Sequence, residues 1–277
     1  PYLVPEPWAS MYDPETLTVP EAEPGEHKRN PPHFGLTQTE DPDFGDMRHE
    51  RPHGNIAHGL HSHLRSREDR ARDLAIYHGM MSMTDHYIGR VLAHLERLGL
   101  AGNTLVVFTS DHGHFYGQHG LIAKGPFHYE DVVRVPFVAR WPGRIPAGTR
   151  SDALQSLVDL PVTFLSAAGR ERPHSMAGLD QLPSWTGGAA VRDHAIVENR
   201  HQPTAINLRT YIDARHKLTV YWNRPYGELF DLEADPAELR NLWDDPGSAE
   251  LKARLTRSLL DGLLAQEPLW MPRIVHA

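Results

Sequence analysis

One short stretch limits the possible folds most. Leu105, Val106, Val107 and Phe108 form an apolar, mostly β-branched run that stops at Ser110-Asp111-His112-Gly113. A helical segment and a Gly-Asn turn precede it. Such a run predicts a strand buried on both faces of an α/β sheet rather than one side of an exposed hairpin. Open α/β sheets place their ligands at the carboxyl ends of strands. A carboxylate, Asp111, and an imidazole, His112, therefore stand side by side where this architecture does its chemistry. Lys124 comes next, in a loop punctuated by glycines. A carboxylate, an imidazole and an ammonium suit a divalent cation and an anionic substrate.

The flanking segments supply the rest of the fold. Tyr77, Met81, Thr84, Ile88, Val91, Leu92 and Leu95 recur at steps of three and four, which predicts a helix over residues 67–98. Ser66 is its expected N-cap, Asp69 completes a capping box and Gly99 ends it. Residues 134–141 predict a second strand, with Pro136 at its start. A short helix is expected over 156–168, and 170–192 reads as loop. From residue 193 the pattern turns to strands at Ala195–Glu198, Ala205–Thr210, Lys217–Tyr221 and Gly227–Leu232, an antiparallel meander. In the last of these Leu229 is expected to face inward and Glu228 outward. Leu251, Leu255, Leu259 and Leu263 then define an amphipathic helix over 248–264. Residues 1–66 are rich in Pro, Gly, His and charge and read as largely irregular. The division expected is 1–192, part of a catalytic α/β domain, and 193–277, a smaller α+β subdomain.

The composition excludes several classes. The 277 residues carry a net charge of −8 with no cysteine. A nucleic-acid binder is not expected, because it would need a basic footprint. No apolar run approaches the roughly 20 residues of a membrane span. The His49, His53, His58, His61 and His63 cluster lacks ligand spacing and reads as a solvated loop.

The ordered set of motifs resembles the sulfatases of the alkaline phosphatase superfamily. It comprises Ser110-Asp111-His112-Gly113, Lys124-Gly125, Tyr129-Glu130, Arg134-Val135-Pro136, Trp141-Pro142-Gly143 and the hairpin-like Tyr226–Pro246. That superfamily also holds phosphonate monoester hydrolases and related phosphodiesterases. The resemblance implies a sandwich of a mixed, mainly parallel sheet between helices, with a C-terminal antiparallel sheet and a terminal helix. It implies metal ligation by Asp111 and His112, with calcium the expected cation and manganese or zinc the alternatives. Lys124 is implied as the catalytic and substrate-binding cation, with His119 and His201 as further substrate contacts. His119 sits in Gly-Gln-His-Gly, similar to a Gly-Glu-His-Gly loop of the family, where it is expected either to position the loop or to approach substrate. His114 is a weaker candidate. Glu130 and Arg134 are expected to be a structural pair.

The family nucleophile is a formylglycine made from the Cys or Ser of a Cys/Ser-x-Pro-Ser/Thr-Arg segment, and this sequence has no such segment. Its first residue is Pro1, with no recognisable signal peptide. Pro1-Tyr2-Leu3-Val4-Pro5 resembles the residues just downstream of a family Lys-Pro-His-x-Pro. The expectation is the C-terminal portion of a metal-dependent sulfuric ester hydrolase, arylsulfatase-like, inactive without its N-terminal portion. A small sulfated or phosphorylated molecule is the expected substrate, chosen by loops 20–66 and 170–205. Phosphonate monoester or phosphodiester hydrolysis and an inactive fragment are the alternatives. Compartment and oligomeric state are not encoded in any motif.

Overall fold

A computed structural model describes residues 2–40, 43, 45–47, 62, 65–200 and 205–266. His201 and the histidine cluster at 49–63 lie outside the described residues. Two compact units divide the chain: Pro1–Pro142 with Asn199–Asn207, and Gly143–Glu198 with Leu208–Ala277.

In the first unit, α1 (Pro32–Leu36) lies inside the stretch expected to be irregular. Its Phe34 is fully buried and packs edge-on against Phe127 and Tyr129. Helix α2 (Arg67–Arg97) has the expected ends. The Ser66 hydroxyl accepts the Asp69 N–H, and the Asp69 carboxylate returns to the Ser66 N–H. Gly99 then turns left-handed at φ 69°. The buried positions of α2, however, are Ala71, Ala75 and Gly79. A Cβ at Gly79 would stand 2.2 Å from the Trp8 carbonyl oxygen, so the glycine lets the N-terminal segment lie on the helix. Met81 and Val91 of the expected apolar stripe are 53% and 67% exposed.

Strand β1 (Val106–Thr109) is the expected strand, but its residues are half-buried or exposed. It pairs antiparallel with β4 (Phe137–Arg140), Thr109 opposite Phe137 and Val106 opposite Arg140. Among the described residues no strand lies on its other edge. Between them come the short hairpin of β2 (Phe115–Tyr116) and β3 (Ile122–Ala123), and helix α3 (Glu130–Val133).

The second unit holds α4 (Asp159–Ala167), α5 (Leu182–Trp185, inside a segment expected to be loop) and a four-stranded sheet. The sheet runs in the order β5 (Ala195–Arg200), β6 (Asn207–Ile212), β7 (His216–Tyr221), β8 (Gly227–Asp231). Its β6–β7 and β7–β8 pairings are antiparallel, as expected of a meander. One face carries Tyr211, Leu218 and Leu229, which pack against Leu255 and Leu259 of α6 (Ala249–Gln266). That α6 stripe is the one its leucine spacing predicts. The other face carries Thr210, Lys217, Thr219, Tyr221 and Glu228, and it too is buried. Glu228 is therefore not outward: it is 2% exposed and accepts the Tyr221 hydroxyl at 2.5 Å. Lys217 pairs with Glu238 there, both side chains nearly inaccessible. A charged residue can take a covered position when a partner replaces the water. Asn241 mimics an extra strand at β8: its carbonyl oxygen accepts the Leu229 N–H and its amide donates to the Gly227 carbonyl, both at 3.0 Å.

Candidate active site

The chain leaves β1 at Thr109 and folds sharply back. The Ser110 hydroxyl donates to the His112 carbonyl at 3.0 Å, and the Asp111 carboxylate accepts the His112 N–H at 2.9 Å. These local bonds fold the two side chains onto one side, where a continuing strand would have sent them to opposite faces. Gly113 makes the fold-back possible, through space rather than dihedral freedom. Its N–H donates to the Val132 carbonyl at 2.8 Å, and a Cβ would stand 1.8 Å from the Asp131 carbonyl oxygen. No residue with a side chain fits there.

The result is a three-group cluster. His112 Nδ1 donates to the Gly113 carbonyl at 2.8 Å, which fixes the tautomer and leaves Nε2 with a lone pair. That Nε2 lies 3.4 Å from Asp111 Oδ2 and 2.6 Å from the Lys124 ammonium. The Asp111 side chain is 82% exposed. Partial desolvation pushes its carboxyl up, but the His112 ring and N–H outweigh this and hold it below the usual range. Lys124 arrives directly after β3, from Ala123 at φ 60°. Asp111, His112 and Lys124, expected together, are together.

A divalent cation is implied by the family, and the donor set fits one. The fixed tautomer turns an imidazole lone pair, met here by the Lys124 ammonium at 2.6 Å, toward a carboxylate oxygen; the carboxylate suits calcium, and the nitrogen favours manganese or zinc. Among the described residues no group of three or more His, Cys, Asp or Glu side chains converges on a metal position. Asp111 and His112 would supply two of the ligands such an ion needs.

The other histidines separate by surroundings. His114 packs among Tyr2, Tyr77 and Tyr116. The Tyr2 hydroxyl and its Nε2 are hydrogen-bonded. Burial first, then its neighbours His112 and Lys124, push its pKa down to about 4. No sequence signal points to this aromatic wall beside the cluster. The spacing of Tyr77 predicts helix packing alone, and Tyr2 lies too far away in sequence to suggest a neighbour. His119, expected at the substrate, is buried with both ring nitrogens facing carboxylates. Nδ1 pairs with Glu26, and Nε2 stands 3.4 Å from Asp131. Neither nitrogen is free for an anion.

The sulfatase family model matches residues 23–170. The model for the C-terminal part of N-sulphoglucosamine sulphohydrolase matches residues 117–264. An N-acetylglucosamine-6-O-sulfatase of Bacteroides thetaiotaomicron is 33% identical over 183 residues, which is 63% of this chain and 33% of the relative. Among solved structures, the phosphonate monoester hydrolase of Silicibacter pomeroyi superposes with a TM-score of 0.78 at 27% identity, over 97% of this chain and 54% of that one. A protein solved in complex with its substrate D-glucosamine-2-N,6-O-disulfate superposes at 0.68 and 29% identity, over 73% of this chain and 43% of that one. The chain thus spans about a third of the first of these relatives and about half of the structures. Its fold is the alkaline-phosphatase-like one these structures share. With the family model covering 23–170, more than half of the 277 residues, the chain belongs to the sulfatase family.

Proposed function

We propose that this chain supplies the metal-binding and anion-binding half of a sulfuric ester hydrolase site. One observation carries the reading: a carboxylate, an imidazole lone pair and an ammonium meet within hydrogen-bond and ion-pair distances at the end of β1. Asp111 and His112 Nε2 would hold a divalent cation. Calcium is the first candidate, with manganese or zinc as alternatives. Bound there, the cation would supply Lewis acidity toward the ester oxygens and the nucleophile. Lys124 would meet a sulfate oxygen as a compact point charge and stabilise the charge that grows as the ester bond breaks. The nucleophile, a formylglycine in this reading, and the other cation ligands would come from a segment that this chain does not contain. A small sulfate monoester is the substrate class, and sulfated amino sugars come first because two of the matched proteins carry such names. His201 stays a proposed substrate contact on sequence grounds alone.

The test starts with the chain itself. Mn²⁺ titration should broaden the His112 ring and Asp111 NMR signals first, and Asp111→Asn should abolish this. Broadening centred elsewhere would sink the metal assignment. A second reading, phosphonate monoester hydrolysis, is favoured by the superposition that spans 97% of the chain. Comparing kcat/KM for an aryl sulfate and an aryl phosphonate monoester, in a polypeptide carrying both halves of the fold, decides between them.

A further inference from the structure

The two legs of one hairpin carry the cluster. Asp111 and His112 precede β2, Lys124 comes after β3, and Phe115 pairs with Ala123 while Tyr116 pairs with Ile122. The tip between them is residues 117–121, with His119 at its centre in a left-handed conformation, φ 55°. For a residue with a Cβ this costs roughly 1 kcal/mol or more, so something must hold it. Elsewhere on the tip, Gln38 Nε2 donates to the Gly120 carbonyl at 3.0 Å and Gln118 Oε1 accepts the Tyr116 N–H at 2.7 Å, but the contacts at the strained residue itself are on His119. Its ring stacks on Tyr129 with centroids 3.6 Å apart and planes 4° from parallel. Its carbonyl accepts from His27 Nε2 at 2.8 Å. Its two ring nitrogens face Glu26 and Asp131.

That last arrangement fixes the charge. A neutral imidazole has one N–H, and its other nitrogen would present a lone pair to a carboxylate oxygen. With a carboxylate at each nitrogen, the doubly protonated ring is the favoured form, one N–H for each acceptor. The titratable groups facing the ring are Glu26 and His27 from the turn at Glu26–Arg29, and Tyr129 and Asp131 at the start of α3. Phe115 meets it from its own hairpin. His27 is held neutral-leaning by burial. The remaining charge balance is one imidazolium against two carboxylates.

We propose that His119, as an imidazolium clamped between Glu26 and Asp131 and stacked on Tyr129, is a positioning residue: it locks the hairpin that carries His112 and Lys124 into register. The value of this lock to an enzyme rests on the reading of Lys124 as the anion-binding group. The lock itself does not. Loss of the charge releases the tip, the strained turn relaxes, and Lys124 leaves His112. In the folded chain the carboxylates outweigh burial and raise the His119 pKa to about 9, so release belongs to the alkaline side.

The experiment is competitive acetylation of the full chain with a water-soluble N-hydroxysuccinimide ester. Lys124 labelling is read by mass spectrometry relative to Lys252. Released from His112, Lys124 should label at least about threefold faster, the scale of a local opening. His119→Gln should show this at neutral pH. Wild type should show it only as the pH rises through about 9. Asp131→Asn, which removes a partly exposed carboxylate, should move the wild-type rise to lower pH. Equal Lys124 ratios in all three proteins at every pH, with lowered melting temperatures in the variants, would make His119 a stability element only and overturn the proposal. If His119→Gln does not fold, the Asp131→Asn profile decides alone: a shifted rise supports the lock and an unshifted one refutes it. A parallel arm adds inorganic sulfate to wild type. Failure of sulfate to protect Lys124 counts against the anion reading and leaves the labelling result for the lock intact.

Discussion

The ammonium of Lys124 stands 2.6 Å from Nε2 of His112, on the lone pair that a cation would need. One lone pair cannot serve both, and two positive charges at such a distance repel. Lys124→Ala should therefore raise the affinity of the chain for Mn²⁺ or Ca²⁺ while lowering turnover in a polypeptide that carries both halves of the fold. We expect kcat to fall by one to three orders of magnitude, about 1.4–4 kcal/mol, with little change in KM. Calorimetric metal titration and steady-state kinetics on the same variant check both signs. An unchanged kcat would show a solvated loop lysine.

Stability should fall on the alkaline side because of His119. Its folded pKa is raised from 6.5 to about 9, so its contribution is complete below about 6.5 and is lost as the pH rises through about 9. The span corresponds to about 3 kcal/mol. The lowered Glu26 carboxyl is the other side of the same pair and adds nothing separate. Urea melts between pH 6 and 10 should show a slope in wild type that His119→Gln removes.

Arg192 and Asp159 make a costly pair to break. The guanidinium engages both carboxylate oxygens, with Nε to Oδ2 at 2.9 Å, and the side chains are 6% and 1% exposed. Asp159 also accepts the Leu179 N–H at 2.8 Å and the Gln181 amide at 2.8 Å. Arg192→Ala leaves a buried carboxylate short of a cation and should cost about 3–5 kcal/mol. Denaturant unfolding measures it, and a loss under about 1 kcal/mol would mean water reaches the site.

Two glycines form a matched pair of tests. Gly113→Ala drives a Cβ into the Asp131 carbonyl, while at Gly102 nothing lies within 4 Å. The first should destabilise by roughly 2 kcal/mol or more, as overpacking does, and should shift the His112 NMR signals. Gly102→Ala should leave both unchanged.

Phe108 and Val138 are register partners on β1 and β4, 43% and 59% exposed. An apolar ribbon with a bare edge invites association. Val138→Lys should raise the soluble yield of the chain. If light scattering shows the same aggregation in wild type and variant, this face is not the sticky one.

Local rules made much of this molecule legible from sequence. The Ser66–Asp69 capping box, the strand segments of β6–β8 and the leucine stripe of α6 depend on near neighbours and a regular period, so they survive without tertiary information. Asp111, His112 and Lys124 were legible because a strand end, a glycine and, twelve residues past His112, a lysine fall in the order of a family's motifs. Other features were set by contacts remote in sequence. Glu26, 93 residues from His119 in sequence, is its ring's partner, a pairing no local spacing signals. Glu228 faces inward because both sheet faces are covered and the Tyr221 hydroxyl stands ready to receive it. The run at 105–108 promised a buried strand, yet β1 is half-exposed, since burial belongs to the neighbours a strand finds rather than to the strand. Sequence alone determined period, caps and the chemistry that can assemble. Only the tertiary structure decided which polar groups meet and which apolar faces stay open, because partner choice is a property of the packed chain.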